Sequence, residues 1–149
     1  MQAVTLSAFA SQEGLDAPSG ALSETVGKVR ADLLEGRGVL ARVRGEAVGA
    51  CRVLVRTDPD RYHMRRLAVI PEMQRRGIAR AIMRWLEVEA LADRVGEIRL
   101  GVRNALRSNS LLYEGLGYEL FCDHGFWTEL RKPLDPRASA SPTAGPTTR

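Results

Sequence analysis

The sequence has few cysteines and no long apolar run, and each shortage argues against a class of protein. Its two cysteines, Cys51 and Cys122, lie far apart and lack the spacing of metal ligands. This predicts two reduced core thiols in a cytoplasmic protein, and no metal site. No apolar run approaches the ~20 residues of a membrane helix, so no membrane partner is predicted. The first residues, MQAVTLSAFASQEG, have neither a basic segment nor a long apolar one, which argues against a signal peptide.

Aromatic residues are also scarce, at 5% of the chain, and no nucleic-acid recognition motif is present. Lys and Arg outnumber Asp and Glu by 22 to 18, which gives a formal net charge of +4. Such a balance suits nucleic acid, an anionic small molecule or no charged partner at all. The scarcity of aromatic residues disfavours the first of these, and no nucleic-acid partner is predicted.

The residues that are present indicate one globular domain. A chain of 149 residues, 44% of them apolar, can bury a sizeable core. The last fifteen residues, DPRASASPTAGPTTR, include no large apolar residue. We therefore predict a domain over residues 1–134 and a disordered tail over residues 135–149.

Hydrophobic spacing predicts the order of the elements. A helix is predicted from about Gly20 to Glu35, with Ser19 as a cap. Alternation in GVLARVRG and VGACRVLVRT predicts an antiparallel hairpin, and YHMRRLAVI is a third strand that ends at Pro71. A long amphipathic helix over 77–95, the strand EIRLGVRN, a short helix over 108–115 and one or two strands in ELFCDHGFWTELRKPL follow. This order predicts an α+β fold with a mixed sheet.

The segment LAVIPEMQRRGIARAIMRWLE brings a helix start directly behind a strand end. Helix starts carry unpaired N–H groups and a partial positive charge, and therefore bind phosphate. Gly77 lets an anion approach the backbone, and Ala79 is small enough to keep that face open. Further donors and positive charge come from Gln74, Arg75, Arg76 and Arg80. The segment predicts a pyrophosphate site, with a solvated basic helix start as the alternative.

The same segment resembles the acetyl-coenzyme A motif of the GNAT-type N-acetyltransferases, in which L-A-V-x-P precedes Q/R-x-x-G-x-G/A and a long helix. Gln74, Gly77 and Ala79 occupy its three signature positions. A second segment, VRNALRSNSLLYEGLGYEL, is similar to the family pattern N-x-x-x-Y-x-x-x-G-Y/F. Its matching residues are Asn109, Tyr113, Gly117 and Tyr118. The resemblance covers roughly residues 20–132.

The resemblance implies a mixed, mostly antiparallel sheet with splayed parallel strands at its centre, flanked by helices. It implies acetyl-CoA as co-substrate, with the pantetheine arm in the gap between these strands and the pyrophosphate at the helix start. The implied cofactor-binding residues are Leu67, Ala68, Val69, Gln74, Arg75, Arg76, Gly77, Ile78, Ala79, Arg80 and Asn109. The implied activity is direct transfer of an acetyl group to a primary amine of a small-molecule or amino-acid-like acceptor.

Tyr113 matches the family tyrosine near the coenzyme sulfur, which implies a general acid that protonates the departing thiolate. The alternative is an aromatic ring packed beneath the site. Asn109 lies one turn before Tyr113 on the same helix face. The resemblance implies a coenzyme contact for Asn109, and helix capping or plain solvent exposure is the alternative.

The sequence departs from the family pattern in two places. The family often has a carboxylate on the strand before L-A-V, where this chain has Arg65 and Arg66. The general base is therefore left open among a water relay, His63, His124 and Glu24, and a non-catalytic acetyl-CoA-binding module is the alternative function. The family also opens with a strand, for which QAVTLSA is the only candidate. Without it a sheet edge is exposed, and a dimer partner could cover it.

The acceptor site is the least determined part of the sequence. Loops at residues 10–25, 56–63 and 121–128 are expected to form it. Arginines crowd the hairpin and third strand, at Arg42, Arg44, Arg52, Arg56, Arg61, Arg65 and Arg66. We expect them to face solvent, with an acceptor carrying a carboxylate or phosphate as the alternative.

Overall fold

A computed structural model describes residues 1–10, 21–55, 60–104 and 106–134. The predicted tail at 135–149, the predicted cap Ser19 and Arg56 lie outside these residues. The elements are α1 (Gln2–Ala10), α2 (Val26–Leu34), β1 (Gly36–Val43), β2 (Glu46–Leu54), β3 (Arg61–Val69), a 3-10 turn (Pro71–Met73), α3 (Ile78–Ala92), β4 (Glu97–Arg103), α4 (Arg107–Glu114), β5 (Glu119–Asp123) and β6 (Trp127–Pro133). No helix in these ranges has the length and apolar character needed to cross a bilayer.

The six described strands form one sheet in the order β1-β2-β3-β4-β6-β5. Strands β3 and β4 are parallel, and every other neighbouring pair among the described strands is antiparallel. Two neighbouring parallel strands must be joined by a connection that crosses back over the sheet, and α3 provides this connection between β3 and β4. The predicted α+β fold, with a mixed and mostly antiparallel sheet, is confirmed.

Strands β3 and β4 separate halfway along their length. They pair from Arg61 opposite Glu97 to Met64 opposite Leu100, and both then continue without pairing. At the same level, the register between β2 and β3 shifts, so that two residues of β3 lie opposite Cys51 alone. One of the two, Arg66, has a φ of 56°, as expected for a bulge that bends its strand. The bend opens a gap at the centre of the sheet.

The helices form a large core with the sheet under α3 and α4 and a smaller one under α1. The main core lies between α3, α4 and one face of the sheet, where Met83 and Leu86 of α3 contact residues such as Ile98 of β4. The smaller α1 packs on β2 and β3, with Val4 and Ala8 against small residues of these strands. Some apolar residues of α3 are not buried. Its Trp85 and Val88 are 45% and 62% exposed, whereas Met83 is buried.

The N-terminal region differs from the sequence prediction. QAVTLSA is helical in α1, because Val4 and Ala8, one turn apart, both face the sheet. The only candidate for a first strand is therefore a helix, and β1 forms one edge of the described sheet. The next helix begins at Val26 rather than Gly20, since the Thr25 hydroxyl caps it by accepting a hydrogen bond from the Lys28 N–H at 3.2 Å. The dimer partner for the edge stays a prediction.

The long helix also ends three residues earlier than predicted. After the C-cap Asp93, Arg94 takes the left-handed conformation with φ 60°. The N–H of Val95 then donates to the Ala90 carbonyl at 2.8 Å, and that of Arg94 donates to the Leu91 carbonyl at 3.0 Å. These are the two hydrogen bonds of a Schellman motif, so the helix stops before Gly96.

An ion-pair cluster is buried beneath α2. Arg52 on β2 is 1% exposed and contacts the Glu24 carboxylate, with Asp32 of α2 3.6 Å away. Arg66 pairs with the same Glu24 at 3.2 Å, and Lys28 pairs with Asp32 at 2.8 Å. The expectation that Arg52 faces solvent is wrong, because two buried carboxylates compensate its charge. Glu24, expected on a solvated helix face, is buried for the same reason.

Replacing Arg52 tests how much this cluster contributes to stability. Arg52→Met should lower the free energy of unfolding by about 3 kcal/mol, since it leaves two buried carboxylates short of a cation. Arg37→Met is the matched control: Arg37 pairs with Glu89 and Asp93 at the surface, and its loss should cost no more than about 1 kcal/mol. Urea unfolding of both variants measures the difference. Equal losses would show that the buried cluster contributes no more than a surface pair.

Candidate active site

Two clefts meet at the gap between β3 and β4. The helix-side cleft, about 520 Å³, lies along the end of β3, the start of α3 and α4. The strand-side cleft, about 500 Å³, lies along β3, β4 and β6. The residues that line both clefts are Phe9, Leu67, Leu106, Asn109 and Tyr113. The two clefts therefore adjoin at these five residues.

The start of α3 opens onto the helix-side cleft. Gly77 caps the helix with φ 82°, and no side chain of the described residues caps it. The first intrahelical hydrogen bond runs from the Ala81 N–H to the Gly77 carbonyl at 2.9 Å, so the N–H groups of residues 78–80 have no partner within the helix. A Cβ placed on Gly77 would meet no atom within 4 Å. The positive end of the helix therefore faces open space that suits an anion.

The end of β3 directs backbone groups into the gap. The Ile70 N–H donates to the Val48 carbonyl on β2 at 2.9 Å, so the Val69 N–H, one residue earlier, points the opposite way. The Val69 carbonyl accepts a hydrogen bond from the Gln74 side-chain amide at 3.0 Å. Gln74 was predicted as a donor for phosphate. This hydrogen bond connects the end of β3 to the turn before α3, and the role of Gln74 as a phosphate donor stays a prediction.

The structure brings nearly all the predicted cofactor-binding residues together. The helix-side cleft is lined by Leu67, Ala68, Val69, Gln74, Arg75, Gly77, Ile78, Ala79, Arg80 and Asn109, together with Tyr113. Arg76 is the one member of the predicted set that does not line it. Asn109 and Tyr113 share one face of α4, as their spacing predicts.

Tyr113 lies where the two clefts join. It is 7% exposed, and its ring meets Tyr118 edge to face at a centroid distance of 5.9 Å. Burial raises the pKa of the Tyr113 hydroxyl above its ordinary value, and the nearby Cys51 raises that pKa further. The hydroxyl therefore keeps its proton at neutral pH and can donate it.

The general-base candidates from the sequence occupy different places. Glu24 is held in the buried ion pairs and lines neither cleft. His124 is stacked on Trp127 with 3.9 Å between ring centroids. His63 lines the strand-side cleft, and so does Glu129 of β6, which sequence reasoning missed. Alternation along β6 puts Glu129 on the face opposite the buried Leu130, but only the strand order shows that this face borders the cleft.

The strand-side cleft, where an acceptor is expected, is lined by strands more than by loops. Of the three predicted loop segments, residues 11–20 and 56–59 lie outside the described part of the chain, and His63 and Trp127 contribute to the lining. The remaining lining comes mainly from β3, β4 and α4. A rigid lining of this kind holds charged side chains at fixed positions.

Comparison with known proteins gives a family and a fold. The family described as acetyltransferase (GNAT) domain matches residues 35–120, which is more than half of the chain. The comparison with curated protein sequences gives no match. Among solved structures, the PaiA N-acetyltransferase from Thermoplasma acidophilum in complex with coenzyme A has a TM-score of 0.79 at 14% identity. That alignment covers 89% of this chain and 89% of that chain.

Two further structures share the fold. The ribosomal-protein-S18-alanine N-acetyltransferase from Escherichia coli has a TM-score of 0.69 at 18% identity, and covers 99% of this chain and 91% of that chain. A GNAT family acetyltransferase from Elizabethkingia anophelis with acetyl-CoA bound has a TM-score of 0.65 at 16% identity. It covers 74% of this chain and 84% of that chain.

The two cysteines should differ sharply in reactivity. Cys51 is fully buried, and burial raises the pKa of its thiol to about 12, whereas Cys122 is partly exposed. Because the thiolate is the reactive form, an aromatic disulfide reagent should label one thiol quickly in the folded chain and the second only after unfolding. Cys122→Ser should remove the fast phase. Two fast phases in the folded protein would contradict the burial of Cys51.

Proposed function

This chain belongs to the GNAT acetyltransferase family, and from that premise we propose that it transfers an acetyl group from acetyl-CoA to a primary amine of a small-molecule or amino-acid-like acceptor. The observation that carries the proposal is the meeting of two clefts at Tyr113, in the gap between β3 and β4. One cleft suits a long anionic co-substrate, and the other leaves room for a small acceptor.

The helix-side cleft has the features that coenzyme A requires. The unpaired N–H groups at the start of α3 would bind the pyrophosphate, and the open space before Gly77 admits it. The unpaired ends of β3 and β4 would hydrogen-bond to the amides of the pantetheine arm. This arrangement would bring the thioester to the gap beside Leu67 and Tyr113.

The residues in the gap fit direct attack by an amine on the thioester. The Val69 N–H points into the gap and would stabilise the negative charge that develops on the carbonyl oxygen. The buried Tyr113 hydroxyl would protonate the sulfur as it leaves. Neither cysteine lines either cleft, so the proposal includes no covalent enzyme intermediate.

A non-catalytic module that binds acetyl-CoA is the second candidate. It is favoured by one observation, the presence of Arg65 and Arg66 on β3 where the family often has a carboxylate. The two candidates share the coenzyme site and differ in whether Tyr113 takes part in chemistry.

Gly77→Ala tests the binding site for the pyrophosphate. A Cβ on a left-handed residue costs roughly 1–2 kcal/mol of stability, and here it would also occupy the space in front of the helix start. Gly45→Ala is the matched control, because Gly45 has φ 87° and open space but lies in the β1–β2 turn. Both variants should lose similar stability, and only Gly77→Ala should lose affinity for coenzyme A, by about tenfold or more, in titration calorimetry. Equal affinities would place the pyrophosphate elsewhere.

Tyr113→Phe separates catalysis from binding. The variant should bind acetyl-CoA like the parent chain and turn over about 10²- to 10⁴-fold more slowly, since it lacks the proton donor. Tyr118→Phe removes a hydroxyl from the neighbouring buried ring, outside both clefts, and should keep the parent rate. Thiol release in the presence of an amine measures both. Unchanged turnover in Tyr113→Phe would exclude Tyr113 as the acid, and no turnover in any form would favour the non-catalytic module.

A further inference from the structure

The strand-side cleft carries an unusual set of charges. One carboxylate, from Glu129, and one imidazole, from His63, line it. Four arginines also line it, namely Arg65, Arg66, Arg99 and Arg103. A cleft lined mostly by one sign of charge raises the local concentration of ligands of the opposite sign.

The arginines differ in how far their charge is already compensated. Arg66 pairs with Glu24, and Arg99 contacts Glu97. Arg65 is exposed and forms no ion pair with any residue in the described ranges. Its charge is therefore available to a ligand in the cleft.

Glu129 is the complementary feature. Its side chain is 20% exposed, and its nearest basic side chains are Arg99 and His124, each 3.8 Å away. Both distances exceed hydrogen-bond length, and no described residue donates a hydrogen bond to its carboxylate. A half-buried carboxylate with open acceptor positions, in a cleft, suits an ammonium group.

Two stacked rings, those of Trp127 and His124, lie beside Glu129. The Trp127 ring lies over Gly101 of β4, where a Cβ would come within 3.1 Å of it, and His124 stacks on Trp127 at 3.9 Å. Gly101 is also the register partner of Glu129. Ring surface beside a carboxylate lowers the local dielectric, which strengthens the attraction of the carboxylate for a cation.

From this arrangement we propose that the strand-side cleft takes a small amine that carries an acidic group, with Glu129 receiving the ammonium group and its proton, and Arg65 holding the acidic group. The inference rests on the proposed acetyl transfer and names its acceptor. It also assigns a general base, which the sequence left open.

The proton balance assigns each residue a step. Glu129 takes one proton from the ammonium, and the freed nitrogen lone pair forms the C–N bond to the thioester carbon. The C–S bond then breaks, its electron pair stays on sulfur, and the Tyr113 hydroxyl gives that sulfur a proton. The second proton of the attacking nitrogen restores Tyr113, and Glu129 releases the first proton to water. One amide, one thiol and one proton leave the site.

Acceptor pairs that differ only in the acidic group test the specificity. Acetylation is measured for γ-aminobutyrate against n-butylamine, and for phosphoethanolamine against ethanolamine. At least one acidic amine should exceed its neutral partner about tenfold or more in kcat/KM, and the two pairs distinguish carboxylate from phosphate. Neutral amines that match or exceed the acidic ones would overturn the proposal and leave the acetyltransferase assignment standing. No acetylation of any of the four, with coenzyme A still bound, would overturn both.

Arginine variants show where the acidic group binds. Arg65→Gln should reduce kcat/KM for the acidic amine about tenfold, mainly through KM, and change that for its neutral partner less than twofold. Arg42→Gln is the control, since Arg42 is an exposed arginine of β1 that lines neither cleft. Equal effects of Arg65→Gln on both amines would overturn the role of Arg65.

Variants of Glu129 and Glu97 show whether Glu129 accepts a proton or only compensates the charge of Arg99. Glu129→Gln should lower kcat about 10²- to 10⁴-fold with coenzyme A affinity unchanged, and Glu129→Asp should recover part of the loss. Glu97→Gln is the matched control, because Glu97 also contacts Arg99 but lies outside the cleft lining. If Glu97→Gln lowers kcat as much as Glu129→Gln, Glu129 acts only by compensating Arg99 and the proposal fails. Melting curves confirm that each variant is folded.

Discussion

The separation of β3 and β4 is the constraint on which the rest of the site depends. Past Met64 and Leu100 the two parallel strands no longer pair, and backbone N–H and C=O groups at the centre of the sheet lose their partners. Unpaired backbone groups inside a protein are costly unless water or a ligand satisfies them. The gap is therefore a candidate binding site, and α3 begins at its end, with N–H groups that have no partner within the helix.

Other features of the fold keep this gap open. The bulge at Arg66 bends β3 away from β4, and the same Arg66 reaches back to Glu24 in the buried cluster around Arg52. The ion pairs thus connect the bend in β3 to α2. On the other side of the gap, α4 contributes Tyr113, which lines both clefts.

Local patterns made the lining of the helix-side cleft predictable. The end of β3, Gly77 and the spacing of Asn109 and Tyr113 are short-range signals, because the strand end, the helix start and the helix face each depend on a few adjacent residues. The boundaries of α2 and α3 were less accurate, since the cap at Thr25 and the left-handed residue Arg94 were not anticipated from the sequence.

Long-range contacts determined the features that the sequence did not indicate. Whether QAVTLSA is strand or helix depends on the small residues of β2 and β3 beneath it. Glu24 and Arg52 are 28 residues apart, and Glu129 lines the cleft because β6 lies between β4 and β5.

Hydrogen exchange with and without coenzyme A tests most directly the claim that the coenzyme binds at the end of β3 and the start of α3. Bound coenzyme should slow exchange at the Val69 amide and at residues 77–80, and leave the turn at Gly45 unchanged. Slowing elsewhere, with these amides unaffected, would contradict the account.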